Sequence, residues 1–322
     1  MSDTREPVTK YDAVVLLGFG GPNGPGEIRP FLDRLLSGRP IPQARYEAVV
    51  DHYMQIGGAS PYNEWTQRQA DGIERALRDR QIQTPVEVAY RNAEPSIPNV
   101  LARLSESNAA QIFCIPLAPH QSSASWDKYV MSLERARQEI GASAPRVDYA
   151  APFYDNPLFV QAQSERLRDA LARFGQTHGD DVEVIFTAHS IPHATPGCDT
   201  YVNQFLRSAE LIAHDVGASR WSLAYQSRSG SPKERWLEPD VRDVIRQLPG
   251  RGIHKAVVVP IGFLCDHVEV LYDIDIDAKN VAQSSGVRLE RATALNDHPL
   301  FVQMLAGLAI DAMHRPHTEK AS

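Results

Sequence analysis

The sequence predicts an α/β protein made of two similar doubly wound lobes, each built on a parallel sheet. Three observations carry that prediction. Eight short runs rich in Val and Ile alternate with longer helix-patterned stretches. The runs are continuously apolar, as parallel strands covered on both faces are, rather than alternating as in a half-exposed sheet. One segment also recurs: PFYDNPLFVQ from Pro152 returns as ALNDHPLFVQ from Ala294, each where a strand gives way to a helix. Asp followed two residues later by Pro is a helix-start signal, so repeated capping chemistry alone is enough to produce the match. Matching strand-helix order on both sides favours two lobes. The 322 residues exceed one typical domain, and 43% apolar with 23% charged residues is the composition of a folded globular chain.

The first strand candidate is VVLLGF from Val14, and the glycine-rich stretch GFGGPNGPG, Gly18 to Gly26, follows it. A dinucleotide fingerprint begun at Gly18 meets Asn23 in place of its third glycine. A P-loop begun at Gly21 runs past Gly26 into Glu27 and Ile28, where Lys and a hydroxyl residue should hold phosphate. The glycines therefore serve either a turn or the close approach of backbone to a flat ligand. Glu64 to Arg80 is helix-patterned, and VEVAY from Val86, QIFCIPLA from Gln111 and VDYAAPF from Val147 complete a first lobe over residues 10–148. A second lobe over 149–296 takes its strands from VEVIFTA at Val182, WSLAYQ at Trp221, KAVVVPIGF at Lys255 and VRLERATAL at Val287. The boundary falls near Val147 to Pro152. The last helix, 297–315, is expected to cross back and complete the first lobe, leaving HRPHTEKAS as a frayed tail.

Two of these strands end on residues able to do chemistry. FTAHSIPH, Phe186 to His193, puts His189 at the carboxyl end of a buried strand, the edge where open α/β sheets bind ligands. A neutral imidazole there takes a proton or ligates a metal near pH 7, although a satisfied structural histidine fits the same position. PIGFLCDHVEVLYDIDIDAK, Pro260 to Lys279, reads as a strand, a turn and a helix. At about 100° per residue, Asp266, Glu269, Asp273 and Asp277 fall within roughly 80° on one face. A solvated acidic face is the plain reading. Like charges at this spacing destabilise a helix unless a cation compensates, and oxygen ligands without sulfur suit a divalent ion held loosely and passed on.

Composition excludes other classes. A formal charge of −7 with scattered basic residues argues against a nucleic-acid binder. The polar start MSDTREPVTKYD carries no export signal, and the apolar run Ala256 to Leu264 is about half the roughly 20 residues of a membrane helix. The protein is expected to be cytoplasmic, without a transmembrane segment, and monomeric. Cys114, Cys198 and Cys265 are too far apart for a cysteine metal cage and read as small core residues.

Taken together, LLGFGGPNGP, IGGASP (Ile56 to Pro61), LAPHQSSASWDKY (Leu117 to Tyr129), FTAHSIP, LAYQSRSGSP-x(3)-WLEPDV and PIGFLCDHVEVLYDID strongly resemble the ferrochelatases. The resemblance runs in order from about Tyr11 to Arg315, and it is most like the bacterial enzymes that use coproporphyrin III. It implies two chelatase lobes with a porphyrin cleft between them and insertion of ferrous iron in haem synthesis. It places the family's histidine on His189 and its glutamate on Glu269, with Asp273 and Asp277 continuing an acidic track for the metal. Phe19 matches the residue over the macrocycle face, and His52, Tyr53, Ser60 and Tyr129 match positions near the propionates. Phe19 cannot ligate iron as a tyrosine would. His52 and Leu36 stand where coproporphyrin enzymes carry arginines, which leaves Arg34, Arg39 or Arg45 to grip the propionates. Some relatives hold an iron-sulfur cluster on four cysteines; with three scattered ones, none is expected here, and no cofactor beyond the substrate iron. The alternatives are a protoporphyrin IX ferrochelatase, another tetrapyrrole chelatase such as a cobalt enzyme, and a tetrapyrrole carrier without turnover.

Overall fold

Two parallel sheets with the same strand order organise the chain. The computed structural model describes residues 11–36, 41–175, 181–230 and 233–314. The first ten residues, Arg39, Ser231 and Pro232 of one quoted motif, and the tail from residue 315 lie outside the described residues. β1 (Ala13–Gly18) leads through α1 (Pro25–Leu36) and α2 (Gln43–Gln55) to α3 (Tyr62–Arg78). Then come β2 (Val86–Tyr90), α4 (Ile97–Glu106), β3 (Gln111–Pro116), α5 (Trp126–Ile140) and β4 (Arg146–Tyr149). The strands pair in the order β2-β1-β3-β4, all parallel.

α6 (Pro157–Ala172) leads into the second sheet, formed by β5 (Val182–His189), β6 (Trp221–Gln226), β7 (Lys255–Val259) and β8 (Arg288–Arg291). Between them lie α7 (Cys198–Val216), α8 (Val241–Gln247), α9 (Val268–Leu271), a π-helical turn over Asp273–Ala278, and α10 (Lys279–Ser284). α11 (Pro299–His314) ends the described chain. The order β6-β5-β7-β8, again parallel, repeats that of the first sheet. All eight apolar runs thus hold a strand, some shorter than the run. β7 stops at Val259 because Pro260 has no N–H to donate to a ladder.

Side-chain alternation sends the strands' residues into two layers each. Val14 and Leu16 of β1 meet α3 and α11, while Ala13, Val15 and Leu17 meet α4 and α5. In the second sheet, Val184 and Phe186 of β5 meet α6 and α7, while Ile185 meets α8, the π-turn and α10. The helix that follows each sheet is shared or exchanged. α11 buries Phe301, Met304 and Leu305 under the first sheet, although it follows the second. α6 gives Phe159 and Ala162 to that same core and Leu167 and Leu171 to the other. The internal repeat marks the starts of these two helices. Asn156 accepts from Leu158 N at 3.0 Å, and His298 Nδ1 accepts from Leu300 N at 3.3 Å, so different residues perform one capping role. No helix among the described residues is long and apolar enough to cross a membrane.

Candidate active site

The carboxyl ends of β5, β6 and β7 converge on one place, and three side chains meet there. His189 is the last residue of β5 and pairs with Gln226 at the end of β6. One contact holds its backbone and another its ring. Tyr201 on α7 donates its hydroxyl to the His189 carbonyl at 3.1 Å. Nδ1 lies 2.5 Å from the Ser190 carbonyl, a contact that only a protonated Nδ1 makes, so in the neutral ring Nε2 carries the lone pair. That Nε2 stands 3.5 Å from Glu269 Oε1.

Glu269 lies in the single turn of α9, and Gln226 donates its amide to the Glu269 carbonyl at 2.5 Å. The other carboxylate oxygen lies 3.7 Å from His267 Nε2, so Glu269 has a histidine on each side. Burial pulls the His189 imidazole down, but the Glu269 charge and the Ser190 carbonyl outweigh it and leave its pKa raised. Burial pushes Glu269 up, and His189 and His267 overcome it, leaving its pKa lowered. His267 has no such surplus: burial prevails, its pKa is lowered, and its Nδ1 is buried without a partner. Behind them Asp273 accepts from the Ser227 hydroxyl. Burial, with the Glu269 charge adding to it, pushes Asp273 up to about 7 against that hydrogen bond.

The acidic stripe needs correcting. Asp266 is not on it: the chain there precedes α9, and Asp266 points into a buried ion pair with Arg291 at 2.9 Å. Nor is the segment one regular helix, because Asp277 N bonds Tyr272 O five residues back and makes the π-turn. Glu269, Asp273 and Asp277 still follow one another along it. Asp277 has the compensating cation that an acidic row requires, Arg242 at 2.9 Å. Among the described residues, no three His, Cys, Asp or Glu side chains close into a ready metal cage.

First-lobe residues approach the same centre. Tyr53 is buried with Phe31 in a small cluster of α1 and α2, which Val268 of α9 borders. Its phenol, pushed up by burial, is pushed further by the Glu269 charge, and Tyr129, raised to about 12 chiefly by burial, feels that charge too. Arg91 lies over the Tyr129 ring at 5.7 Å. Phe19 joins Tyr53 through edge contacts with Phe31. Ser60 stands further off, buried beneath the glycine stretch with its N–H donating to Pro22 O at 2.8 Å. His52 is already engaged, stacked on Tyr272 at 3.6 Å and 12°. Arg34 donates to the Asn92 carbonyl at 3.1 Å, and Arg45 is exposed on α2. The glycine stretch packs on the chain's own atoms: Gly20 has φ +83°, and a Cβ there would lie 2.6 Å from that of Ala93.

Sequence reasoning missed His267, Tyr201, Gln226 and Ser227. His267 sits two residues before Glu269, and that spacing was the available signal. Ser227 adopts φ +61°, which no residue type announces.

Comparison with known proteins identifies the family and the fold. The ferrochelatase family profile matches residues 11–313. The "Coproporphyrin III ferrochelatase" of Mycobacterium bovis (strain BCG / Pasteur 1173P2) is 37% identical over 305 residues, covering 93% of this chain and 85% of that protein. The protein of the same name from Nocardia farcinica is 34% identical, covering 92% and 87%. Among solved structures, SirB from Bacillus subtilis with Fe3+ superposes at a TM-score of 0.58 over 94% of this chain and 95% of its own, at 13% identity. CbiX, described as the terminal enzyme of siroheme biosynthesis in denitrifying bacteria, reaches 0.54 at 15% identity over 93% and 98%. At such identities these two speak for the fold alone. The profile spans both sheets and the relatives cover nearly the whole chain, so the protein belongs to the ferrochelatase family, lyases that insert ferrous iron into a porphyrin in haem synthesis.

Proposed function

We propose that the protein inserts ferrous iron into coproporphyrin III, with His189 and Glu269 as its reacting pair. The observation that carries the reading is the 3.5 Å approach of His189 Nε2 to Glu269, from two strand ends, in a chain whose relatives bear that substrate in their names. Insertion exchanges two pyrrole N–H protons for one Fe2+, so the site must accept two protons and admit a dication. His189 Nε2, bare in the neutral ring, takes one proton, and Glu269 stabilises the imidazolium that forms. Asp273, titrating near neutrality, takes the second. General acid-base assistance of this kind contributes roughly 10²–10⁴ in rate. Glu269, Asp273 and Asp277 offer oxygen ligands for the incoming ion, and His189 a nitrogen ligand. Grip on the ring's edge holds the macrocycle distorted, a strain of about 1–5 kcal/mol.

The porphyrin lies, in this proposal, between a lobe of residues 10–148 completed by 297–315 and a lobe of residues 149–296. Phe19, Tyr53 and Tyr129 face it from the first lobe, with His52 at its edge on Tyr272 and Ser60 behind them under the glycine stretch. Charged hydrogen bonds are worth roughly 1.5–3 kcal/mol each, so one more satisfied propionate shifts preference about tenfold or more. The test is anaerobic incubation with Fe2+ and either coproporphyrin III or protoporphyrin IX, followed by absorbance. A higher kcat/KM for coproporphyrin III is expected. Equal or better turnover of protoporphyrin IX without detergent overturns the substrate, insertion of cobalt but not iron overturns the metal, and binding without turnover makes the protein a carrier.

A further inference from the structure

Asp266 and Asp275 stand at the two ends of the segment that carries Glu269 and Asp273, and one buried guanidinium holds both. Arg291, at the end of β8, donates from Nη1 to Asp266 Oδ1 at 2.9 Å. Its Nε and Nη2 donate to the Asp275 carboxylate at 3.0 and 2.8 Å. The Arg291 and Asp266 side chains are only 11% and 10% exposed. Asn296 closes the far side in a left-handed backbone, φ +51°. Its Oδ1 accepts from Asp266 N at 2.8 Å, and its Nδ2 donates to Asp266 Oδ2 at 2.9 Å. From α3, fully buried Gln69 donates to the Asn296 carbonyl at 2.6 Å. A chain of bonds therefore runs from a helix under the first sheet to the back of the π-turn.

We propose that Arg291 is a positioning residue for iron insertion: its planar fork fixes both ends of the 266–275 segment and so sets where Glu269 and Asp273 stand. It touches neither iron nor porphyrin. The inference rests on the reading of Glu269 as a reacting group. A fork can grip two carboxylates at fixed angles, whereas an ammonium is a single point charge. The π-turn it braces has a register that ordinary helix bonding does not maintain, and such turns concentrate at functional sites. A misplacement of about 1 Å at a reacting group costs on the order of 100-fold in rate.

The test compares the full-length protein with Arg291→Lys and Asp275→Asn, assayed anaerobically with Fe2+ and the porphyrin that the wild type turns over. Glu269→Gln is assayed alongside. The expected result is a fall in kcat of at least tenfold in both variants, with KM and metal-free porphyrin Kd within twofold of wild type. Should Arg291→Lys fail to fold, Asp275→Asn decides alone, since Asp275 is partly exposed and keeps an acceptor oxygen in the variant. A kcat within twofold of wild type in Asp275→Asn overturns the proposal. So does a rate loss matched by an equal loss of porphyrin affinity, which general loosening would give. Normal turnover by Glu269→Gln overturns the site reading and the positioning role with it; an inactive Glu269→Gln beside a normal Asp275→Asn overturns the positioning role only.

Discussion

His189 has burial against it and a carboxylate for it, and the balance decides when it can accept a proton. Replacing His189 or Glu269 with Ala is expected to lower turnover by roughly 10²–10⁴ while the purified variants keep their circular dichroism. The same pair links stability to pH. The raised His189 pKa stabilises the fold fully below the ordinary 6.5, and that stabilisation is lost as pH rises through the folded-state value. The lowered Glu269 pKa stabilises above the ordinary 4.5, and its share is lost as pH falls through the folded-state value. Urea unfolding of wild type and Glu269→Gln should therefore differ most between pH 4.5 and 6.5, and the difference should shrink on either side. Turnover should follow the opposite logic to the His189 share and rise with pH above 6.5, because only the neutral ring accepts a proton. His189 and Glu269 were legible because one ends a buried apolar strand and the other follows one, and the resemblance then named them. His267 was not, because one histidine beside a turn looks like any core histidine until its distance to Glu269 is known.

The π-turn is the element that sequence periodicity misdescribed. Acids four apart line up on a regular helix and remain successive on a π-turn, so the succession of Asp273 and Asp277 was legible while the geometry holding them was not. Asp266 was drawn into the row because an angle per residue was extended through a stretch that is not helical. If the row passes iron inward, Asp273→Asn and Asp277→Asn should raise the Fe2+ concentration for half-maximal rate severalfold, with porphyrin affinity unchanged. An unchanged iron dependence would remove both from the metal's path, leaving Asp277 a surface partner of Arg242 and Asp273 a proton acceptor only. The strand ends allow a second expectation. A Cβ on Gly262 would lie 2.7 Å from Ala188 Cα, the backbone next to His189. Gly262→Ala should cost about 1–3 kcal/mol in chemical denaturation and slow turnover by displacing the end of β5. The eight strands themselves were legible because Val- and Ile-rich runs buried on both faces leave little else to read.

At the scale of the whole molecule, the repeated DNP and DHP segments were legible as a pair, and the matched strand orders show why they recur. The last helix was expected to cross back, and α11 does pack under the first sheet; what the repeat could not show is that α6 divides itself between the two cores, since that depends on packing across the molecule rather than on spacing along it. Leu305→Ala should cost about 2–5 kcal/mol, although Leu305 lies far along the chain from the strands that it covers. A chain ended at His298 should lose cooperative unfolding of the first sheet, read as faster exchange of the β1 and β3 amides than of those in β5 and β7. The exchange of α11 also sets a timetable for synthesis. β1 leaves the ribosome about 280 residues before α11 begins. At about 5–20 residues per second, the apolar underside of the first sheet waits roughly 15–55 seconds for its cover. Throughout that interval the nascent protein presents an unfinished surface to whatever chaperone attends the exit tunnel, and only the arrival of α11 withdraws it.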